Sequence, residues 1–162
     1  MAAVDYFLKI TGIDGESQDA KHNGEIDIVS WSWGESQTGT MAFGGGGGAG
    51  KMQMQDFRFV MYVNKATPKL FLACASGEHL PKVVLTCRKA GKEQQEFLKY
   101  SFYDCLVSSY QTGGSELGDI VPTEQITLNY SKMEMEDKEQ MTDGSLGGVV
   151  KTGWDVKKNE KV

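Results

Sequence analysis

The chain has 162 residues, of which 40% are hydrophobic and 10% aromatic, and its 17 basic and 22 acidic side chains give a net charge of -5. This composition favours one domain over residues 1–162 with a buried core, and the negative balance argues against nucleic acid as a partner. The N-terminal MAAVDYFLKI has no cationic stretch, and nowhere do about 18 apolar residues run together, so neither a cleavable signal peptide nor a membrane span is predicted.

Alternation of apolar and polar residues predicts strands along most of the chain. The alternating runs lie at residues 4–10, 25–34, 83–88, 97–110 and 126–130. Many short strands separated by turn signals are typical of an antiparallel barrel or sandwich. The predicted fold class is therefore mostly β, with a small antiparallel β-barrel.

The second of these runs has two faces of different chemistry. Trp31 and Trp33 share one face and are predicted to lie in the core, because two exposed tryptophans in one strand would favour aggregation. Side chains alternate along a strand, so Ser30 and Ser32 point the other way.

A glycine-rich segment follows, comprising Gly44, Gly45, Gly46, Gly47, Gly48, Ala49 and Gly50. It matches parts of the dinucleotide and phosphate-loop patterns, but those loops must open a helix, whereas the residues after Lys51 alternate as a strand. Nucleotide binding is thus not predicted. Because so many glycines are costly to order, we interpret the segment as an exposed loop that orders on docking to another surface.

Two strands change the face that carries their apolar residues. Met52 and Met54 have the opposite parity from the apolar residues of 57–63, and Met133 and Met135 depart from the parity of the strand that ends at Tyr130. Either a local β-bulge causes each change, or one half of the strand faces the core and the other a neighbouring subunit. The second alternative makes these four methionines candidate subunit-interface residues.

One short helix is predicted between the strands. Thr67 is the expected N-cap, Pro68 occupies the first helical position and Gly77 ends the helix. Phe71 and Cys74 belong to its apolar stripe and are predicted to face the core.

No catalytic or metal-binding constellation is recognisable. The three cysteines are an odd number without close pairs, as expected for a cytoplasmic protein with thiols packed in its core. The two histidines have no Cys or His at ligand spacing. We therefore expect no metal, no cofactor and no enzymatic activity.

Several segments together resemble the haemolysin-coregulated proteins, or Hcp family, the tube subunits of type VI secretion systems. The matching segments are DYFLKI, GES at 15–17, EIDIVSWSWG at 25–34, GGGGGAGK at 44–51, ATPKLFLACASGEHLPKVVLTCRKAG at 66–91, LVSSYQTGGS at 106–115 and GWD at 153–155. They cover nearly the whole chain in the family's order.

The resemblance implies a β-barrel with a helix at its side, assembled as a hexameric ring. Rings would stack into a tube expelled by a contractile sheath behind a trimeric valine-glycine repeat spike protein, with small effector proteins held inside. It further implies that Ser30 and Ser32 face the lumen, that residues 44–50 connect stacked rings, and that no C-terminal effector domain follows. The protein would start in the cytoplasm and leave through the apparatus without a signal peptide.

One alternative function stays open at the level of sequence. A small β-barrel can also serve as a ligand-binding module, which would run as a monomer on sizing and contain an apolar pocket. An enzyme of another type would need convergent polar groups that the sequence does not suggest.

Overall fold

The computed structural model describes residues 4–39, 49–89, 95–117 and 121–162. Within these ranges the chain is mostly β-strand with a single helix, which confirms the predicted fold class. The elements are β1 (Val4–Ile10), β2 (Ile26–Asp27), β3 (Ser30–Ser32), β4 (Glu35–Gly39), β5 (Ala49–Met54), β6 (Phe57–Tyr62), α1 (Thr67–Ser76), β7 (His79–Lys89), β8 (Gln95–Gly113), β9 (Thr123–Asn129), β10 (Lys132–Gln140), β11 (Leu146–Asp155) and β12 (Glu160–Lys161). None of the described residues forms a helix long and apolar enough to cross a membrane.

The main sheet is organised around β8, a strand of 19 residues. One edge of β8 pairs with β7, and its other edge pairs first with β10 and then with β9, always antiparallel. The sheet continues from β7 to β1 and β2, from β9 to β6 and β3, and from β10 to β11 and β12. β4 and β5 pair with each other in a separate two-stranded sheet.

Hydrogen bonds alone do not close the predicted barrel. β2 pairs with β1 and β3 pairs with β6, and no ladder in the described part of the chain closes the gap between them. Both strands lie on one segment, however: the amide of Ile28 donates to Tyr6 O at 3.0 Å, and that of Val29 donates to Val60 O at 2.8 Å. The two ends of an open sheet are therefore joined through residues 26–32, and the sheet curls around one core.

Aromatic side chains dominate this core. Phe57, Phe59 and Phe102 are fully buried, and the ring centroids of Phe57 and Phe102 are 4.7 Å apart. Trp31 and Trp33 are only half-buried, and they pack against the margin of the same cluster. They contact the core as predicted but do not lie inside it.

Two of the three cysteines are core residues, as predicted. Cys87 and Cys105 are buried, and their burial raises the pKa of both thiols to about 12. A thiol with so high a pKa stays protonated and unreactive at neutral pH. Cys74 is half-buried and packs against the core from the helix.

Fewer residues of the helix face the core than predicted. Leu70 and Ala73 are buried, but Phe71 is 59% exposed, so its prediction as a core residue was wrong. Consecutive helical residues are about 100° apart, which turns Phe71 away from the face that Leu70 buries. The helix ends at Gly77, whose φ of 69° is left-handed and whose amide donates to Ala73 O.

The start of the helix also differs from the prediction. Ala66 is the N-cap and caps no amide with its side chain, whereas Thr67 is the first helical residue. The Thr67 hydroxyl accepts a hydrogen bond from the Asn64 amide at 3.1 Å and donates one to the buried carboxylate of Glu124. Thr67 therefore ties the helix to β9.

The two changes in apolar parity occur where one strand ends and another begins. β5 and β6 are separated at Gln55 and Asp56 and belong to different sheets. β9 and β10 are separated at Tyr130 and Ser131, and they pair with different parts of β8. Each change thus coincides with the end of one strand and the start of the next rather than with a bulge within one strand, and the interpretation that the second halves face a neighbouring subunit stays a prediction.

Candidate interaction surfaces

A groove of about 420 Å³ lies between the β4–β5 hairpin and strands β10 and β11. We call it the methionine groove, because Met52 and Met54 line one side and Met133 and Met135 the other. The four methionines predicted as interface residues are therefore brought together within one chain. Trp33 and Trp154 also line this groove.

The four methionines differ in burial. Met52, Met54 and Met135 are half-buried, so part of each side chain reaches the groove surface. Met133 is only 3% exposed and belongs to the core. Little of its surface is left for direct contact with a second chain, and its assignment as a subunit contact stays a prediction.

The hairpin that forms one side of the groove is held where it leaves the sheet. The Gln55 amide donates to Gly34 O at 2.9 Å, which closes the base of the hairpin. The Tyr130 hydroxyl donates to Gln55 O at 2.8 Å and accepts a hydrogen bond from Trp33 Nε1. Burial raises the pKa of Tyr130 to about 12, so this hydroxyl keeps its proton at any physiological pH.

Asp56, the next residue of the same junction, is also held by hydrogen bonds. Its carboxylate accepts hydrogen bonds from Ser108 Oγ at 2.6 Å and from Asn129 Nδ2 at 3.0 Å. Contacts to β8 and β9 therefore hold the chain directly after the hairpin. The orientation of the hairpin over the groove is set by side chains of the main sheet.

A second surface lies on the outward face of β3, β6, β9 and β8. The register places Ser32 beside Arg58 and Arg58 beside Thr127, while Ser30 lies beside Val60 and Val60 beside Gln125. We call this face the polar wall; its members are Ser30, Ser32, Arg58, Val60, Ser109, Gln111, Gln125 and Thr127.

Burial separates this wall from the residues that alternate with it. No member of the wall is buried, whereas the intervening Phe57, Phe59, Ile126 and Leu128 are fully buried. The expectation that Ser30 and Ser32 point away from the core is therefore confirmed. Sequence alternation identified two of these residues, and only strand pairing shows that the face extends over four strands.

Comparisons with known proteins identify the family. A family model described as "Type VI secretion system effector, Hcp" matches residues 7–136. Protein hcp1 of Pseudomonas aeruginosa is 52% identical over 159 residues, which cover 97% of this chain and 98% of that protein. The chain belongs to the Hcp family.

Solved structures of Hcp-family proteins have the same fold. Hcp1 from Salmonella typhimurium is 40% identical, with a TM-score of 0.84 over 99% of this chain and 100% of that one. A structure described as a type six secretion system protein is 31% identical, with a TM-score of 0.94 and the same coverage. Hcp3 from Pseudomonas aeruginosa, at 14% identity and a TM-score of 0.64 over 94% of this chain and 98% of that one, shows the fold alone. This chain thus has the β-rich fold of the type VI secretion proteins of the Hcp family.

Most of the glycine-rich segment of this Hcp-family chain falls outside the described residues. Gly44 to Gly48 are among residues 40–48, and only Ala49 and Gly50 lie within β5. The prediction that the segment connects stacked rings therefore stays a prediction.

A buried charge network in this Hcp chain was not anticipated from its sequence. The side chain of Arg88 is 3% exposed and forms ion pairs with Asp19 at 2.7 Å and Asp5 at 3.0 Å. The hydrogen bonds from Arg88 lower the pKa of Asp19 to about 2 despite the opposing effect of burial. Since Asp19 lies in the β1–β2 loop and Arg88 on β7, the network fastens this loop to the sheet.

His22 attaches the same loop at a second point. Its Nδ1 lies 2.8 Å from Glu25 and its Nε2 lies 2.7 Å from Glu96, while its ring stacks on Phe7 with centroids 4.3 Å apart. Carboxylates only accept hydrogen bonds, so both nitrogens can donate only when the imidazole is charged. The partners are distant in sequence, with His22 and Glu96 separated by 74 positions, and no short-range pattern indicates them.

No metal centre is apparent in the ranges that the structure covers. There, no three or more His, Cys, Asp or Glu side chains are arranged to hold an ion. The two described surfaces are a groove lined by apolar side chains and a polar, mostly neutral sheet face.

Proposed function

We propose that this chain is the tube subunit of a type VI secretion system. Six copies form a closed ring, rings stack into a tube, and a contractile sheath expels the tube behind a trimeric valine-glycine repeat spike protein. The lumen holds small effector proteins until delivery. The role of the chain in this proposal is structural rather than catalytic, and membership of the Hcp family supports it.

The methionine groove is the observation that carries the ring proposal. Its apolar side chains remain partly uncovered in a single chain, although the hairpin beside them is fixed by Tyr130 and Asp56. A ring contact joins two different patches of neighbouring subunits, so one subunit's groove is free to receive the next subunit. Thioethers suit such a contact, because they are flexible and polarizable and pack against irregular surfaces.

A charge placed in the groove tests this proposal. We expect Met54→Lys to leave the barrel folded by circular dichroism but to convert hexamers to monomers in native mass spectrometry, because docking of the next subunit would strip water from the ammonium at a cost that the adjacent Glu35 does not repay. Met141→Lys is the matched control, since Met141 is 47% exposed and lies outside the groove. If Met54→Lys still forms hexamers, or if only Met141→Lys loses them, the ring contact lies elsewhere on the chain.

The polar wall is the proposed lumen surface. Small polar side chains hold many different proteins loosely, whereas large apolar ones would retain them too tightly. Ser32→Gln adds bulk without charge to an exposed position, so we expect intact rings with reduced retention of an effector in a pull-down. Ser76→Gln, at the exposed end of α1, is the control. Normal retention by Ser32→Gln rings would show that the wall does not face the cargo.

Ring stacking is assigned in this proposal to the glycine-rich segment. We expect deletion of Gly45 to Gly48 to leave the fold and the hexamer intact and to shorten tubes seen by electron microscopy. Tubes of unchanged length, or loss of folded structure by circular dichroism, would contradict this assignment.

A ligand-binding module is the second candidate function. The methionine groove has a volume in the range of small-molecule sites, about 300–1,000 Å³, and Trp33 and Trp154 line it. A monomer whose tryptophan fluorescence changes on adding a small apolar ligand would favour this function. A hexamer without such a response would favour the tube subunit.

A further inference from the structure

We infer that Arg58 makes the polar wall selective for cargo proteins with acidic surfaces, which rests on the proposal that this wall lines the ring lumen. Arg58 lies on β6 with Ser32 on one side and Thr127 on the other, and it is exposed. All the other members of the wall are serine, threonine, glutamine or valine. Arg58 is the one charged member among these eight residues, and the carboxylate of Asp56, two positions earlier, borders them through its contact with Ser108.

The charge of Arg58 is available to a partner. In the described part of the chain, no carboxylate forms an ion pair with its guanidinium. Asp56, two positions earlier, instead accepts hydrogen bonds from Ser108 and Asn129. Arg88 shows the contrast, because it is buried and paired with two carboxylates within the same chain.

The chemistry of arginine defines the partner. A guanidinium presents planar donors that match a carboxylate in a bidentate arrangement, so the complementary surface carries aspartate or glutamate. The neighbouring serine and threonine hydroxyls donate or accept as needed and impose no charge of their own. A basic cargo surface meets a repulsive arginine, while the carboxylate of Asp56 is turned towards β8 and β9 by its hydrogen bonds to Ser108 and Asn129.

Assembly multiplies this effect. A ring of six copies places six Arg58 side chains around one enclosed space, where walls of low dielectric constant strengthen the field of like charges. One exposed ion pair changes a dissociation constant by up to about fivefold, and two pairs formed together change it by up to about 25-fold. The effect extends only about 8 Å from the wall at physiological ionic strength, so it acts on cargo inside the ring.

A pair of matched probes tests the inference. Two versions of one small designed three-helix bundle share a core and differ only in surface charge, one rich in aspartate and glutamate and the other in lysine and arginine. Their binding to purified hexamers is measured by fluorescence anisotropy at about 50 and 500 mM salt, with the ring state checked by native mass spectrometry. The ring variants are Arg58→Gln, Arg58→Glu, and Lys69→Glu as a control of equal charge change on the exposed side of α1.

We expect native rings to bind the acidic version at least about fivefold more tightly at low salt, and the preference to fade at high salt. Arg58→Gln should abolish the preference and Arg58→Glu should reverse it, whereas Lys69→Glu should preserve it. An equal affinity of native rings for both versions, or no binding of either, overturns the inference. So does a preference that survives in Arg58→Glu.

The same experiment separates this inference from the proposed function. If Arg58→Glu has no effect while Ser32→Gln weakens both probes, the lumen assignment stands and the charge selectivity falls. If the native protein remains a monomer, the ring proposal fails and the inference fails with it.

Discussion

The Tyr130 hydroxyl offers a direct test of how the β4–β5 hairpin is held. Tyr130→Phe removes one atom that donates to Gln55 O at 2.8 Å and accepts from Trp33 Nε1. The ring itself remains, with its centroid 4.8 Å from that of Phe102, so core packing is preserved. The substitution therefore isolates two hydrogen bonds at the base of the hairpin.

The expected loss of stability follows from those two bonds. Each contributes about 0.5–1.5 kcal/mol net, and a buried group left without a partner costs about 1–3 kcal/mol. Trp33 is half-buried, so water replaces part of the lost interaction. We expect the free energy of unfolding to fall by about 1–2 kcal/mol, or Tm by roughly 2–8 °C for a domain of this size.

Urea denaturation measures the loss, and hydrogen exchange locates it. We expect faster exchange in β4 and β5 than in β8, and a smaller hexamer fraction at low protein concentration. Tyr103→Phe is the control, because within the described ranges the Tyr103 hydroxyl has no hydrogen-bond partner. Equal stability of the two variants, or exchange raised only in the main sheet, would refute the role of Tyr130 as the hairpin anchor.

Two further predictions concern the β1–β2 loop. The pKa of Asp19 is lowered from 3.8 to about 2 by hydrogen bonds from Arg88, so its stabilising effect is present above about pH 4 and is lost as the pH falls towards 2. We expect Asp19→Asn to lower the free energy of unfolding by about 1–2 kcal/mol at pH 6, allowing for partial exposure. In urea titrations the difference from the native protein should shrink below about pH 4 and disappear as the pH falls through about 2; a difference independent of pH would contradict this. In Gly15→Ala the new Cβ would lie 2.5 Å from Glu25 O, a backbone atom, so we expect a loss of about 1–3 kcal/mol in thermal melts. Gly148→Ala, where a Cβ meets nothing within 4 Å, should be nearly neutral, and similar effects of the two alanines would contradict the steric argument.

Local patterns in the sequence were sufficient for some of these features. Alternation identified β1 within its observed bounds and placed Ser32 and Trp31 on different faces of one strand. This works because every second residue of a strand with one buried face is apolar. The changes of parity coincide with strand ends: the one at Asp56 lies between two sheets, and the one at Tyr130 lies between two strands that pair with different parts of β8.

Features that depend on residues distant in sequence were not predictable in this way. In the sequence, Arg88 is one polar position in an apolar strand. No neighbouring residue indicates that it forms ion pairs with Asp5 and Asp19. The burial of Phe71 was predicted wrongly because the number of apolar helix residues that become buried depends on how wide a surface the helix packs against. That width is set by the sheet beneath it.

The pairing of β1 with β7 also governs how this chain folds during synthesis. Val4 lies beside Lys89 in the finished sheet, so the first strand must wait for on the order of eighty residues, or roughly 4–16 s of translation at 5–20 residues per second. Contacts between such distant segments make folding slow, and an apolar strand waiting for its partner is open to wrong pairings. A cell that produces this subunit in quantity therefore has reason to shield the nascent N-terminus until β7 emerges.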